Sequence, residues 1–538
     1  MEKRVALAIF ISALILLLYN IRYYQNYELT EVKKAQEAER VFPSSQIKET
    51  SLPSIPEIKL ASIDIPKKDL YIDTELIDVQ LTPRGSLQSW KLKRYLEKDR
   101  KPIEMIHSQD LSCFPLDLSL QNGKNLVVCD FISLDRYTKQ FIYQVEDIPD
   151  VRLEKRLTFF PDRYEVRVDL KMENPSLLQS SGSLVLWGGF IKEQEDQKEL
   201  IEQVYSIDNQ IHKVSFKKKG PFDKIMVSLG LRKKEEPRAE IKKITNFSWS
   251  SQSKRYFSTI ILPESIFQKE VHFKKGKDGV LSMALVLPNI STGSFKFYIG
   301  PKEYESLEIF EKGCERIVYS GWLAPFSRLI LKTLKLFYLI TRNYGVAIIL
   351  LAIVIKIILF PLNQISFRSM KSMQELQPHM NRIRQKYRND REKLNREIIA
   401  LYKRHGINPV QSLTGGCLPM FLQLPILFAL FTTFRTAIEL RGSPFIFWLK
   451  DLSMQDPYYI LPILMGVSMY IQQRIMTPVQ ADPKQPNMAI FMTTFFTFIC
   501  FGFPSGLILY WLVQNILTIG QQYLIIRKKK SVARNQRG

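Results

Sequence analysis

One charged residue stands out by its position. Lys356 lies inside the otherwise apolar run 346–360, about ten residues and hence about 15 Å from the start of that run. An ammonium at such depth in hydrocarbon costs roughly 2.5–3.5 kcal/mol on insertion scales. A residue bearing that cost faces a bundle interior or a hydrated cavity, unless its stem lets it reach the headgroups. The neighbouring apolar runs offer polar side chains, Gln423 and Asn515 among them, but no carboxylate. A lysine without an acidic partner suits a wet groove that receives the polar part of another polypeptide.

Other candidate constellations carry less. Ser505, in Gly502-Phe-Pro-Ser-Gly506, is the serine an intramembrane protease would need. All five histidines (His107, His212, His272, His379, His405) lie outside the apolar runs, so no Ser–His pair is expected at membrane depth and Ser505 reads as a turn residue. The cysteines Cys113, Cys129, Cys314, Cys417 and Cys500 lack zinc-ligand spacing; Cys113 and Cys129 either pair or remain free thiols. Asp162, Glu165 and Asp169 are expected on the solvated face of a strand or turn rather than as a glycosidase-like pair. No Walker-type phosphate loop is present. The expectation is therefore no catalytic site, no metal and no cofactor.

The elements that must position Lys356 are membrane spans. Hydrophobic residues are 46% and charged residues 24%, near the soluble average, but these figures mask a polar middle and a strongly apolar last third. Lys3-Arg4 precedes the apolar run 5–19, and no small-x-small cleavage site follows, which predicts an uncleaved anchor over residues 1–24. Five more runs, 346–362, 417–434, 458–475, 488–503 and 506–526, each approach the length needed to cross about 30 Å of hydrocarbon. Lys and Arg number 76 against 53 Asp and Glu, with the excess near the ends of these runs. The segment 368–404 and the tail 528–538 are strongly basic, whereas the loop 435–457 is balanced. Basic loops stay in the cytoplasm. Both chain ends are then expected inside, with the segment from about 25 to 320 outside. A nucleic-acid binder shares the basic balance but not the apolar runs, so DNA is not an expected partner.

Residues 25–68 read as a Glu-, Lys-, Ser- and Pro-rich linker. Beyond them, short alternating runs predict strands over 69–318. Tyr164, Val166, Val168, Leu170 and Met172 alternate with polar residues, as do Ile77, Val79 and Leu81. Repeated short strands argue for a β-sandwich. Residues 319–345 predict an interfacial amphipathic helix, with Arg328, Lys332, Lys335 and Arg342 on one stripe. Residues 366–412 predict a cytoplasmic helical hairpin turning at Asn389-Asp390. Its apolar stripe, including Met373 and Met380, either packs on the opposite arm or offers adaptable contact. Its basic face, including Arg384 and Arg391, is expected to meet anionic lipid, ribosomal RNA or a partner protein.

From about Gly321 to Arg527 the chain resembles the YidC family of membrane insertases, part of the wider Oxa superfamily. The carrying stretches include Tyr319-Ser-Gly-Trp-Leu323, Met373-Gln-Glu-Leu-Gln-Pro378, Ile399-Ala-Leu-Tyr402, Gly415-Gly-Cys-Leu-Pro419, Gln423-Leu-Pro425 and Phe503-Pro-Ser-Gly-Leu507. The resemblance implies a polytopic α-helical membrane protein, an N-terminal anchor plus a five-helix core (346–527), with a periplasmic all-β supersandwich of the Gram-negative form. It implies an insertase and chaperone rather than an enzyme, resident in the bacterial inner membrane. Implied partners are nascent membrane proteins and the Sec translocon, with the ribosome or targeting factors meeting the basic hairpin and tail. By family position, Lys356, Gln423 and Asn515 line a groove open to the cytoplasm, and Tyr510 and Trp511 meet a passing substrate helix. The family usually has arginine where Lys356 stands, and lysine lacks the planar fork. It often has a hydroxyl where Ala352 stands. A secondary transporter would need coupled ionisable groups and often repeated halves, neither of which is visible; a structural scaffold is a further alternative.

Overall fold

The computed structural model describes residues 65–97, 99–106, 114–121, 126–146, 148–178, 183–192, 201–214, 240–264, 270–275, 280–288, 290–311, 313–319, 323–404, 423, 425–476 and 488–535. The expected anchor, the linker before residue 65, Cys113, Cys417, the end of the hairpin (405–412) and the last three residues lie outside them.

Among the described residues the alternating segments form three antiparallel sheets. The largest runs in the order Gln210–Val214, Glu202–Ile207, Trp249–Ser253, Phe257–Pro263, Thr292–Pro301, Glu165–Glu173, Ile148–Phe159, Thr138–Val145, Leu126–Ser133. A five-stranded sheet runs Glu240–Thr245, Glu270–Lys275, Val280–Leu287, Leu184–Lys192, Leu118–Leu120. The third comprises Tyr71–Asp73, Ile77–Leu81, Leu87–Leu96 and Pro102–Glu104. Period-2 patterning is the cause: Val166 and Val168 have no exposed surface, and Tyr164, Leu170 and Met172 are buried beside them. The two larger sheets meet at a bulge between Trp187 and Gly189. A Cβ on Gly188 would lie 2.1 Å from Ile261 Cδ1 of the nine-stranded sheet, so a larger residue would force the Ile261 side chain to move.

One expectation changes here. Glu165 is not solvated: it is 3% exposed, with Arg163 Nη1 4.0 Å away and Lys296 beside it. Long cationic side chains from its own turn and the next strand cover what pattern alone assigns to the outer face. Burial raises its carboxyl pKa despite those cations. Cys129 is a free thiol whose Sγ donates to the Ile142 carbonyl at 3.3 Å.

The helices follow. They are α1 (Tyr304–Phe310), α2 (Ala324–Thr341), α3 (Tyr344–Lys386), α4 (Arg391–Arg404), α5 (residues 425–436), α6 (Ile460–Met476), α7 (Met488–Cys500) and α8 (Ser505–Asn535). In α3, Tyr344–Ile365 is 22 residues with mean hydropathy 2.8, long and apolar enough to cross a membrane. The described parts of α6 and α7 are 17 and 13 residues. Asn343 caps α3, its Oδ1 accepting from Gly345 N at 2.8 Å and Val346 N at 3.2 Å. α3 continues through Pro361 and Pro378 into the hairpin. Each proline removes one N–H donor, but the ladder persists on both sides. The hairpin turns at residues 387–389, and Asp390 Oδ1 accepts from Lys393 N at 3.1 Å as α4 begins.

Specific contacts join the β-rich region to the helical one. Arg255 donates from Nε to the Arg435 carbonyl at 2.7 Å and from Nη2 to Ser453 O at 2.9 Å. Lys335 of α2 sits between Glu305 of α1 at 2.7 Å and Glu439 at 2.9 Å. Arg328 stacks over the Tyr304 ring, 4.8 Å from its centroid. Two bases of the amphipathic stripe are therefore engaged by protein, while Leu329, Leu336, Leu339 and Ile340 remain exposed on α2.

Candidate functional site

Lys356 lies twelve positions beyond Tyr344, about 18 Å along α3. It is 9% exposed. Its Nζ donates to Thr518 Oγ1 of α8 at 2.7 Å, and Thr518 Oγ1 donates to the Gln514 carbonyl at 2.6 Å. One turn away, Gln514 Nε2 donates to the Ala352 carbonyl at 2.7 Å. Both contacts advance by four residues on each helix, so α3 and α8 run parallel with polar atoms at successive turns of their seam.

The other expected residues converge on α8. Asn515 is buried, and its Nδ2 donates to Ser468 Oγ of α6 at 2.9 Å. Gln423 Nε2 donates to the Tyr510 hydroxyl at 3.2 Å. Tyr510 is 1% exposed and faces the interior, whereas half-buried Trp511 packs edge-on against Phe496 of α7, with centroids 4.7 Å apart. On α7, Thr493 Oγ1 donates to Gln473 Oε1 of α6 at 2.7 Å. Lys356 therefore pairs with Thr518 rather than with Gln423 or Asn515. No Asp or Glu occurs in 343–374, 405–438, 457–481 or 483–538, so the apolar runs supply no carboxylate. Thr518, Gln514 and Ser468 were missed in the sequence. The signal was available: Gln514, Asn515, Thr518, Gln521 and Gln522 recur at helical spacing in an apolar run.

Outside this seam, Met380 is buried with Leu376 and Leu401, and its Sδ accepts from the Tyr402 hydroxyl at 3.2 Å. That methionine joins the two hairpin arms. Arg384 and Arg391 are exposed. Met373 lies in α3, but its side chain is outside the described residues. Ser505 is fully buried, its N–H donating to Met454 O at 2.7 Å and its Oγ to Asp451 O at 3.1 Å, which makes it a turn residue before α8. In the β-rich region a cleft of about 600 Å³ brings Glu264 and Glu311 together. Glu264 is committed to Lys296 at 2.6 Å and Arg167 at 3.3 Å, leaving no free carboxylate pair.

Residues 336–533 match the family model described as 60Kd inner membrane protein, and residues 69–333 match the model described as YidC periplasmic domain. The chain is 33% identical to a protein of Syntrophus aciditrophicus over 98% of this chain and 99% of that one, and 34% identical to one of Geotalea uraniireducens over the same shares. Both relatives are named membrane protein insertase YidC. Among solved structures, an active YidC insertase with its first transmembrane domain resolved is matched over 84% of this chain and 94% of that one, at 17% identity and a TM-score of 0.36.

Proposed function

Because the chain belongs to the YidC family of membrane protein insertases, we propose that it moves segments of nascent membrane proteins into the inner membrane through a hydrophilic groove, open to the cytoplasm and lined by Lys356, Gln423 and Asn515. Insertion is a non-enzymatic role. The observation that carries the groove reading is the state of Lys356: a lysine deep in the bundle, held by a neutral hydroxyl, with no carboxylate in the apolar runs. Its charge is thus left to a visitor. An acidic or polar leading segment of the substrate is drawn to the ammonium, and water in the groove lowers the cost of carrying that segment part-way across. The apolar substrate helix then moves past Trp511 into lipid, where burial of apolar surface drives release. Tyr510 acts from inside, its hydroxyl ordering Gln423.

The topology that fits this reading has the N-terminal anchor and basic tail on the cytoplasmic side, the β-rich region in the periplasm and α2 in the outer interface. The basic faces bearing Arg384 and Arg391 then meet anionic lipid, and a ribosome or targeting factor docks on the hairpin, with the Sec translocon as a partner for larger substrates. Reconstituted Lys356→Leu is expected to fail to insert a single-span substrate with an acidic leading segment, and Lys356→Arg to succeed. Normal insertion by the leucine variant would show the charge to be dispensable.

A further inference from the structure

Beyond Thr518, the seam continues into Gln521 and Gln522. They are 7% and 5% exposed. The Nε2 and Oε1 atoms of both are buried with no hydrogen-bond partner. An unsatisfied buried polar atom costs about 1–3 kcal/mol, so two adjacent glutamines in this state are expensive for stability alone. Their register is informative. Gln521 lies seven residues after Gln514, on the stripe facing α3, and Gln522 lies seven after Asn515, on the stripe facing α6. They stand one turn past Thr518, about 5 Å nearer the end of α8 that carries the basic tail.

We infer that Gln521 and Gln522 form a subsite at the cytoplasmic end of the groove that takes the main chain of an extended polypeptide in transit. This deepens the groove reading and rests on it. A primary amide offers a donor and an acceptor together, the complement of a peptide N–H and C=O. Being neutral, it holds any sequence alike. Lys356 discriminates by charge; the glutamines hold the feature all substrates share. The orphaned amides are polar groups kept unpaired for a polypeptide backbone, at the expense of resting stability.

The test uses the full chain in proteoliposomes with two stalled single-span substrates, one with a Ser/Gly leading segment and one whose leading segment carries two aspartates. Q521L/Q522L is expected to lower insertion of both substrates about tenfold, the factor that roughly 1.4 kcal/mol carries. The same variant is expected to melt higher than the parent, because unpaired polar atoms have been removed. Q521N/Q522N, which retains the amides, is expected to recover part of the loss. Undiminished insertion of both substrates would mean that water alone fills the site. A loss confined to the aspartate substrate would mean that the glutamines act through Lys356, and a lower melting temperature would mean that they are structural; any of these results overturns the subsite. Lys356→Leu, run in parallel, separates the two levels: if it inserts both substrates normally, the groove itself fails, whereas a defective Lys356→Leu beside an intact Q521L/Q522L removes only the subsite.

Discussion

Lys356 and Thr518, on parallel helices and 162 residues apart, share a 2.7 Å hydrogen bond in which the hydroxyl accepts from the ammonium while donating onward to Gln514 O. A neutral oxygen satisfies one of the three Nζ protons and leaves the formal charge unpaired. A carboxylate in the same place would quench the charge that an incoming acidic segment needs.

Thr518→Val keeps the shape and removes the acceptor. It is expected to destabilise the bundle by about 1–3 kcal/mol, the range for stranding a buried donor. Combining it with Lys356→Met is expected to cost less than the sum, with a coupling of about 1 kcal/mol in a double-mutant cycle. Thermal unfolding of the four proteins in nanodiscs measures the cycle, and strict additivity would remove the bond from the energetics.

Lys302 gives a pH signature in the β-rich region. It is buried, and desolvation holds its pKa down at about 8, below the ordinary 10.5. Between these values the unfolded chain binds more protons than the folded one, so stability rises with pH across that window. The full rise is about 3 kcal/mol at 1.36 kcal/mol per pH unit. Lys302→Met is expected to be the more stable protein below pH 8 and to lose this rise, read as denaturant midpoints from pH 7 to 11. A parallel offset between the two curves would place the slope elsewhere.

At the start of α3, a Cβ on Gly345 would come within 2.0 Å of the Phe445 ring, and Asn343 Nδ2 donates to the Phe445 carbonyl at 3.1 Å. Gly345→Ala is expected to cost about 1–3 kcal/mol by overpacking. Phe445→Ala in the same chain is expected to recover part of that loss, because the two closest contacts are with the ring, while the Phe445 Cβ at 2.7 Å remains. Melting temperatures of the single and double variants decide it.

The alternating faces were legible because a two-residue period survives in any strand with one buried side: Tyr164 to Met172 point inward as their order implies. Glu165 was misread because the side chains beside it come from a turn and from another strand. Lys356 was legible as a charge in an apolar run. Its partner was not, since no local pattern ties residue 356 to residue 518; only the register of α3 against α8 does. The passage of α3 through Pro361 and Pro378 likewise depends on neighbours, because propensity describes an isolated helix and not a supported one.

The most direct measurement is chemical. A zero-length carbodiimide joins an amine to a carboxylate only when they touch. A stalled substrate with one aspartate in its leading segment, bound to the reconstituted protein and treated with carbodiimide, is expected to yield an isopeptide at Lys356 that mass spectrometry maps. Lys356→Arg is expected to insert the same substrate and give no adduct at that position. Adducts on hairpin or tail lysines alone, with Lys356 unmodified while insertion proceeds, would contradict the assignment of that ammonium to the substrate's path.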